Sequence, residues 1–262
     1  MAPEQDRLVF ITGASSGIGQ AVALCFYQAG YRLALVARRT DVLNVWIKQA
    51  AMEPHRVRVY AADVSITQSI VDAGLACILA QGVPDVVVAS AGVSIGMDTM
   101  DRADLDVMAR VYATNNIGLA ATFHPFLKVM VRRGSGVLVG IASVNGIRGF
   151  PGHGAYCSSK AAVISYCESL RGELRASGVK VLTISPGYVD TPLTRANGYS
   201  MPFLMSPQAF AQKLFRAVAT GSSYRTFPWQ MAVVAKLLRV LPNLWFDRLF
   251  ARRARKRRRT PG

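Results

Sequence analysis

The chain has 262 residues, 51% of them hydrophobic and 9% aromatic, and a net charge of +16. That length accommodates one large α/β domain with a substantial core, and the composition excludes a disordered protein. The scattered histidines and cysteines exclude metal-ligand spacing and a disulfide framework, and no apolar run reaches the ~18 residues of a membrane span.

The first six residues, Met1-Ala2-Pro3-Glu4-Gln5-Asp6, carry acids and no apolar stretch, so no secretory signal is expected. Leu8–Thr12 then reads as a buried strand. It runs into Thr12-Gly13-Ala14-Ser15-Ser16-Gly17-Ile18-Gly19, which opens a helical stretch over 17–29. A glycine-rich turn between strand and helix presents backbone N–H groups and the positive end of the helix dipole to an anion. Its glycines allow a sharp turn and close approach of a pyrophosphate. Its place at the first strand–helix junction favours a dinucleotide site over an ordinary tight turn.

Further strands are expected at Arg32–Ala37, Val57–Ala61, Val86–Ala89, Val137–Ala142 and Val179–Ser185, with helices near 41–52, 66–81, 104–132 and 155–177. This alternation predicts an α/β, Rossmann-like, doubly wound parallel sheet flanked by helices, with ligands at the carboxyl ends of the strands. No repeat is present, and no linker divides the chain before about residue 224. Residues 1–224 therefore read as one domain with a substrate lid at about 188–206. Residues 225–250 read as a C-terminal extension, and 251–262 as a basic tail.

Tyr156-Cys157-Ser158-Ser159-Lys160 carries chemistry. Residues four apart on a helix share a face, about 6 Å apart along its axis. A lysine ammonium beside a tyrosine favours the phenolate, which makes the phenol a usable proton donor and acceptor near neutral pH. The four cysteines, Cys25, Cys77, Cys157 and Cys167, read as reduced core thiols of a cytosolic protein.

With these motifs the chain resembles the short-chain dehydrogenase/reductase family, NADP(H)-preferring type, over roughly residues 7–192. Ser143 ends a strand 13 residues before Tyr156, the family's spacing for its catalytic serine. Asn115-Asn116-Ile117-Gly118 matches N-x-x-G on the long central helix. Ala89-Ser90-Ala91-Gly92 corresponds to N-N-A-G with both asparagines replaced, and Pro186-Gly187-Tyr188-Val189-Asp190-Thr191 matches P-G-x-x-x-T. The resemblance implies a catalytic set of Asn115, Ser143, Tyr156 and Lys160. Asn115 would kink its helix and hold a water leading from Lys160 to solvent. Ser143 would bond the substrate oxygen, and Lys160 would also grip the nicotinamide ribose. Cofactor contacts are expected from Gly13, Ser15, Ser16, Gly17, Ile18, Gly19, Ala91, Gly92, Pro186, Gly187, Val189 and Thr191, with Asp63 and Val64 at the adenine. Asp63 reads equally as a helix cap.

The second strand ends in Ala37-Arg38-Arg39, without the acid that bonds a ribose 2′-hydroxyl in NAD-selective sites. Two guanidiniums suit a 2′-phosphate, so NADP(H) is the expected cofactor. No metal is expected. The segments Val93–Met97 and Val144–Phe150, and an apolar lid with Tyr188, Leu193, Tyr199, Met201, Pro202, Phe203, Leu204 and Met205, suggest a hydrophobic carbonyl or alcohol substrate. The alternative is a catalytically idle NADP-binding sensor or scaffold, against which the complete set of four residues argues.

Basicity concentrates at the end of the chain. Residues 251–262 hold seven bases and no acid, residues 225–250 four bases and one acid, and the first 224 residues 20 bases and 14 acids. Tyr224-Arg225-Thr226-Phe227-Pro228-Trp229 departs from the short strand with which many family members close. Beyond it Val234, Leu237, Leu238 and Leu241 form one stripe, with Lys236 and Arg239 opposite and Leu244, Trp245, Phe246, Leu249 and Phe250 following. Such a segment either lies in an anionic membrane interface or packs on the domain or a second copy. A homodimer or larger homo-oligomer, a cytoplasmic location with or without peripheral membrane contact, and no nucleic-acid partner complete the expectations.

Overall fold

The computed structural model describes residues 7–195 and 200–251. Seven parallel strands form one sheet in the order β3-β2-β1-β4-β5-β6-β7. They are β1 (Leu8–Thr12), β2 (Arg32–Ala37), β3 (Val57–Ala61), β4 (Val86–Ala89), β5 (Gly136–Ile141), β6 (Val179–Pro186) and β7 (Tyr224–Phe227). Strand order reverses at β1, which pairs Val9 with Leu33 on one side and with Val86 on the other. A crevice at the carboxyl ends follows from that reversal.

The helices are α1 (Gly17–Gln28), α2 (Thr40–Gln49), α3 (Thr67–Gln81), α4 (Asp104–Tyr112), α5 (Gly118–Arg133), α6 (Gly154–Glu173), α7 (Pro192–Arg195), α8 (Pro207–Ala219), α9 (Trp229–Val240) and α10 (Asn243–Phe250). Helices cover both sheet faces, so the central strands are apolar on both sides rather than alternating with polar residues. Along β1, Leu8 and Phe10 enter one core layer with Phe123, Phe126 and Leu138. Val9 and Ile11 enter the other with Phe26, Phe210 and Leu214. Each such side chain, fully buried, stabilises the fold by roughly 1.5–3 kcal/mol relative to exposure.

Three elements differ from the sequence reading. The helix expected over 104–132 is interrupted by a π-helical turn at Ala113–Ile117, which carries Asn115 and Asn116. Extra residues of this kind inside a helix often mark functional positions. Helix α8 was not anticipated, although its signals are present: Ser206 accepts a cap bond from the Ala209 amide at 3.2 Å, and Pro207 opens the helix. Phe210, Ala211, Leu214, Ala217 and Val218 form its buried face. The segment beginning at Tyr224, read as a departure from a closing strand, is that strand. It pairs with β6 from Thr183↔Tyr224 to Pro186↔Phe227, and Tyr224 donates to Oγ of Ser185 at 2.8 Å. Four residues, three half-buried and Arg225 exposed, leave a weak local signal, and β6 supplies the missing one.

Candidate active site

The glycine turn lies over the carboxyl end of β1. Gly13 (φ +68°) and Gly17 (φ +58°) occupy the left-handed region, and a Cβ on Gly13 would stand 2.8 Å from Cα of Ala91. Ala91 donates its amide to Oγ1 of Thr12 at 3.3 Å, joining the turn after β4 to the end of β1. Helix α1 begins with no side-chain cap and no acid in its first turn. Its first amides therefore face the cleft with the positive end of the dipole, as an anion site requires.

A cleft of about 240 Å³ opens there. Gly13, Ser15, Ser16, Gly17, Ile18, Gly19, Arg38, Arg39, Asp63, Val64, Ala91, Gly92 and Thr191 all line it, and so do Ser90, Val93, Thr114 and Leu193, which the motifs had not assigned to it. These neighbours of motif residues carry no chemical signature of their own. Arg38 reaches across to Asp63 at 3.5 Å, with its own side chain 70% exposed. Burial works to raise the Asp63 pKa, but hydrogen bonds from Ser65 and the Arg38 guanidinium outweigh it and hold the carboxyl below its ordinary value. Asp63 accepts from the backbone amide and hydroxyl of Ser65 at 2.9 and 2.7 Å, forming a local turn ahead of α3.

The other predicted residues lie beside this cleft. Asn115 is buried, accepts from the Val93 amide at 2.9 Å, and donates to the Val93 carbonyl at 3.0 Å and to Oγ of Ser159 at 2.9 Å. Asn116 donates to the Ser159 carbonyl at 2.9 Å. Lys160 is buried on α6 and donates to the Ile141 carbonyl at 2.8 Å. Its pKa is lowered to about 8, chiefly by burial, with Cys167 pulling the other way. The ammonium lies 5.9 Å from the centre of the Tyr156 ring. Ser143 accepts from the Asn145 amide at 3.2 Å, and with Tyr156 it lines a small hollow of about 40 Å³ that also includes Gly187. Pro186 ends β6, and Val189 is buried beneath the loop rather than in either opening.

The hollow shares Val144, Asn145 and Tyr188 with a larger apolar chamber of about 230 Å³. Ile147, Arg148, Phe150 and Pro202 contribute to its wall, and so do Met231, Val234, Ala235, Leu238 and Phe250 from α9 and α10. The C-terminal stripe thus packs on the domain, one of the alternatives its sequence left open. Val234 and Leu238 turn inward and line the chamber, while Leu237 alone of the stripe's four is exposed. Arg148 fastens the helix pair by donating to the carbonyls of Leu238 and Leu241 at 2.9 and 2.7 Å and to Oδ1 of Asn243 at 3.0 Å. Its guanidinium also stands 4.1 Å over the Phe246 ring, and Phe150 packs against Phe246 and Phe250. Of the lid residues named above, Tyr199 falls outside the described residues, as does the basic tail from Arg252 onward.

A doubly wound sheet with a glycine-lined cleft and a Ser–Tyr–Lys group at its edge has the Rossmann-type architecture. The family model for short chain dehydrogenase matches residues 7–200. An uncharacterized oxidoreductase of Myxococcus xanthus is 37% identical over 247 residues, covering 94% of this chain and 97% of that protein. An alcohol dehydrogenase from the archaeon Thermococcus sibiricus, solved with 5-hydroxy-NADP, superimposes with a TM-score of 0.75 at 26% identity, over 84% of this chain and 95% of its own. A Burkholderia phymatum short-chain dehydrogenase/reductase in complex with NAD gives 0.81 at 23% identity, over 97% and 98%. The chain belongs to the short-chain dehydrogenase family, and it is an oxidoreductase of that family.

Proposed function

We propose that this oxidoreductase interconverts an apolar ketone or aldehyde and its alcohol with NADP(H), using Tyr156 as acid and base. The observation that carries the reading is the shared hollow: Ser143 and Tyr156 face one small space, backed by the buried Lys160 and continuous in lining with an apolar chamber. The cofactor, when bound, supplies or accepts the hydride at the substrate carbon. The uncapped start of α1 and the close-packed glycines fit its pyrophosphate, and Arg38 with Arg39 would hold a 2′-phosphate. Asp63 and Val64 would flank the adenine, and Ala91, Gly92, Pro186, Gly187 and Thr191 the remainder.

Within the hollow, Ser143 donates a hydrogen bond to the substrate oxygen and stabilises the charge that develops on it. Tyr156 delivers the proton to that oxygen in reduction and takes it back in oxidation. Lys160 favours the phenolate form of Tyr156 and grips the ribose hydroxyls, while Asn115 keeps the π-helical turn against α6 and orders a water leading to Lys160. The chamber excludes water and takes the apolar part of the substrate, leaving the carbonyl as its polar end.

We place the protein in the cytoplasm, where its four cysteines stay reduced. It is proposed to work as a homodimer or larger homo-oligomer, a state that analytical ultracentrifugation measures. The reading as a whole is tested by oxidation of NADPH and of NADH with a series of methyl ketones of increasing chain length. A preference for NADPH and a rise in kcat/KM with chain length are expected. No turnover of any carbonyl by the folded, cofactor-binding protein would overturn it.

A further inference from the structure

Helices α9 and α10 have a second apolar face, and it is not the one that lines the chamber. Trp229, Leu237 and Val240 on α9 and Leu244, Trp245 and Leu249 on α10 are all exposed, Val240 by 76% and Trp245 by 62%. On α9, the spacings of eight and eleven residues bring the last two onto the side carrying Trp229, opposite the inward Met231 and Ala235. A soluble surface scatters its exposed apolar residues, whereas this pair of short helices gathers seven of them, Val233 included.

The charge around that face is predominantly positive. Lys236 shares the outward side of α9, and Arg248 is the base of α10 against the single acid Asp247. Alongside α9 runs a groove of about 850 Å³ whose wall includes Arg171, Lys213, Arg225, Lys236 and Arg239, with Glu168 as its acid. Residues 252–262, which follow α10 directly in the sequence, contain seven bases and no acid.

We propose that the outward face of α9 and α10, with its flanking bases, docks on the surface of an anionic lipid bilayer. Apolar side chains enter the interface while the surrounding cations meet lipid phosphates, the two signals that stable peripheral attachment needs. Charge decides between this occupant and a second copy of the chain. Residues 225–262 carry eleven bases and one acid, so two copies meeting through this face would bring two strongly positive segments together. Attachment is parallel to the surface, because among the described residues no helix is long and apolar enough to cross a membrane. If the apolar substrate proposed above is correct, one helix thickness, about 10 Å, separates its chamber from the lipid. The docking itself does not depend on that reading.

The test uses the full chain and extruded vesicles of phosphatidylcholine alone or mixed with phosphatidylglycerol. The wild-type protein is expected to co-sediment with the mixed vesicles at least about tenfold more tightly than with the neutral ones. Brominated lipid is expected to quench its tryptophan emission. Leu237→Ser combined with Trp245→Ser should weaken binding to mixed vesicles about tenfold, with circular dichroism, cofactor titration and sedimentation mass unchanged. Lys236→Glu with Arg248→Glu should weaken it and flatten its salt dependence. Binding of the double-serine protein at wild-type strength would overturn the proposal, because the tail alone would then suffice. Absence of wild-type binding, or a halving of particle mass in the double-serine protein, would overturn it as well.

Discussion

Asn115 on the π-helical turn donates to Oγ of Ser159 on α6 at 2.9 Å, a buried bond between residues 44 apart in sequence. The same amide bonds both the N–H and the C=O of Val93, so one side chain ties the loop after β4 to the helix that carries Tyr156 and Lys160. A helix interior normally disfavours an amide, which competes for backbone bonds. Here the π-helical turn accommodates it, and its hydrogen-bonding groups all find partners.

Asn115→Leu should therefore leave the Val93 amide and carbonyl without partners, at about 1–3 kcal/mol for each group left unsatisfied. Urea unfolding should show a loss of about 2–4 kcal/mol, and turnover should fall with it. Ser159→Ala, which leaves Asn115 its two bonds to Val93, should cost only about 1 kcal/mol. Equal losses in the two variants would show that the Val93 bonds contribute little.

Tyr156→Phe keeps the ring that lines the hollow with Ser143 and removes the hydroxyl proposed as acid and base. Turnover should fall by about 100-fold or more, the usual range for a lost general acid, while cofactor binding by fluorescence titration changes little. Substantial residual turnover would remove Tyr156 from its proposed role.

Arg38→Asp with Arg39→Ala should narrow or reverse a preference for NADPH over NADH. A charge-assisted hydrogen bond contributes about 1.5–3 kcal/mol, which corresponds to a ten- to hundredfold change in affinity. The lower end is expected, because Arg38 is 70% exposed and already engages Asp63. An unchanged ratio of NADPH to NADH affinities would place the 2′-phosphate elsewhere.

Lys160 makes stability depend on pH in a defined direction. Its pKa is about 8 when folded, against an ordinary value of 10.5. Below about pH 8 both states hold the proton, and the burial penalty is present in full. From about 8 to 10.5 the unfolded chain binds more protons, so this group makes stability rise with pH, by at most ~1.4 kcal/mol per unit. Lys160→Met should be more stable than the wild type at pH 7, with an advantage that shrinks across that window. Urea midpoints of the cofactor-free proteins from pH 7 to 10 measure it, and a constant difference would contradict the assigned pKa.

Arg148→Ala removes three hydrogen bonds and the stacking on Phe246 that fasten α9 and α10. The expected cost is about 2 kcal/mol of stability. A larger consequence should appear in KM for long-chain substrates, with cofactor affinity unchanged, because the loosened helices form the chamber wall. An unaltered dependence of KM on chain length would separate the chamber from substrate binding.

The amino-acid sequence by itself determined the strand–helix alternation, the glycine turn at the end of β1, and the order of Asn115, Ser143, Tyr156 and Lys160. These are local properties: the apolar runs require burial wherever they fall, Gly13 and Gly17 allow backbone angles other residues resist, and residues four apart share a helix face. Only the tertiary structure decided which apolar stripe of α9 faces the protein. Val234 and Leu238 turn inward because Arg148, some 90 residues earlier, holds the carbonyls of Leu238 and Leu241, and because Phe150 packs against Phe246 and Phe250. The strand at Tyr224–Phe227 likewise exists through its pairing with β6. Both outcomes depend on partners distant in sequence, and no local periodicity records which partner a helix face or a short edge strand will meet.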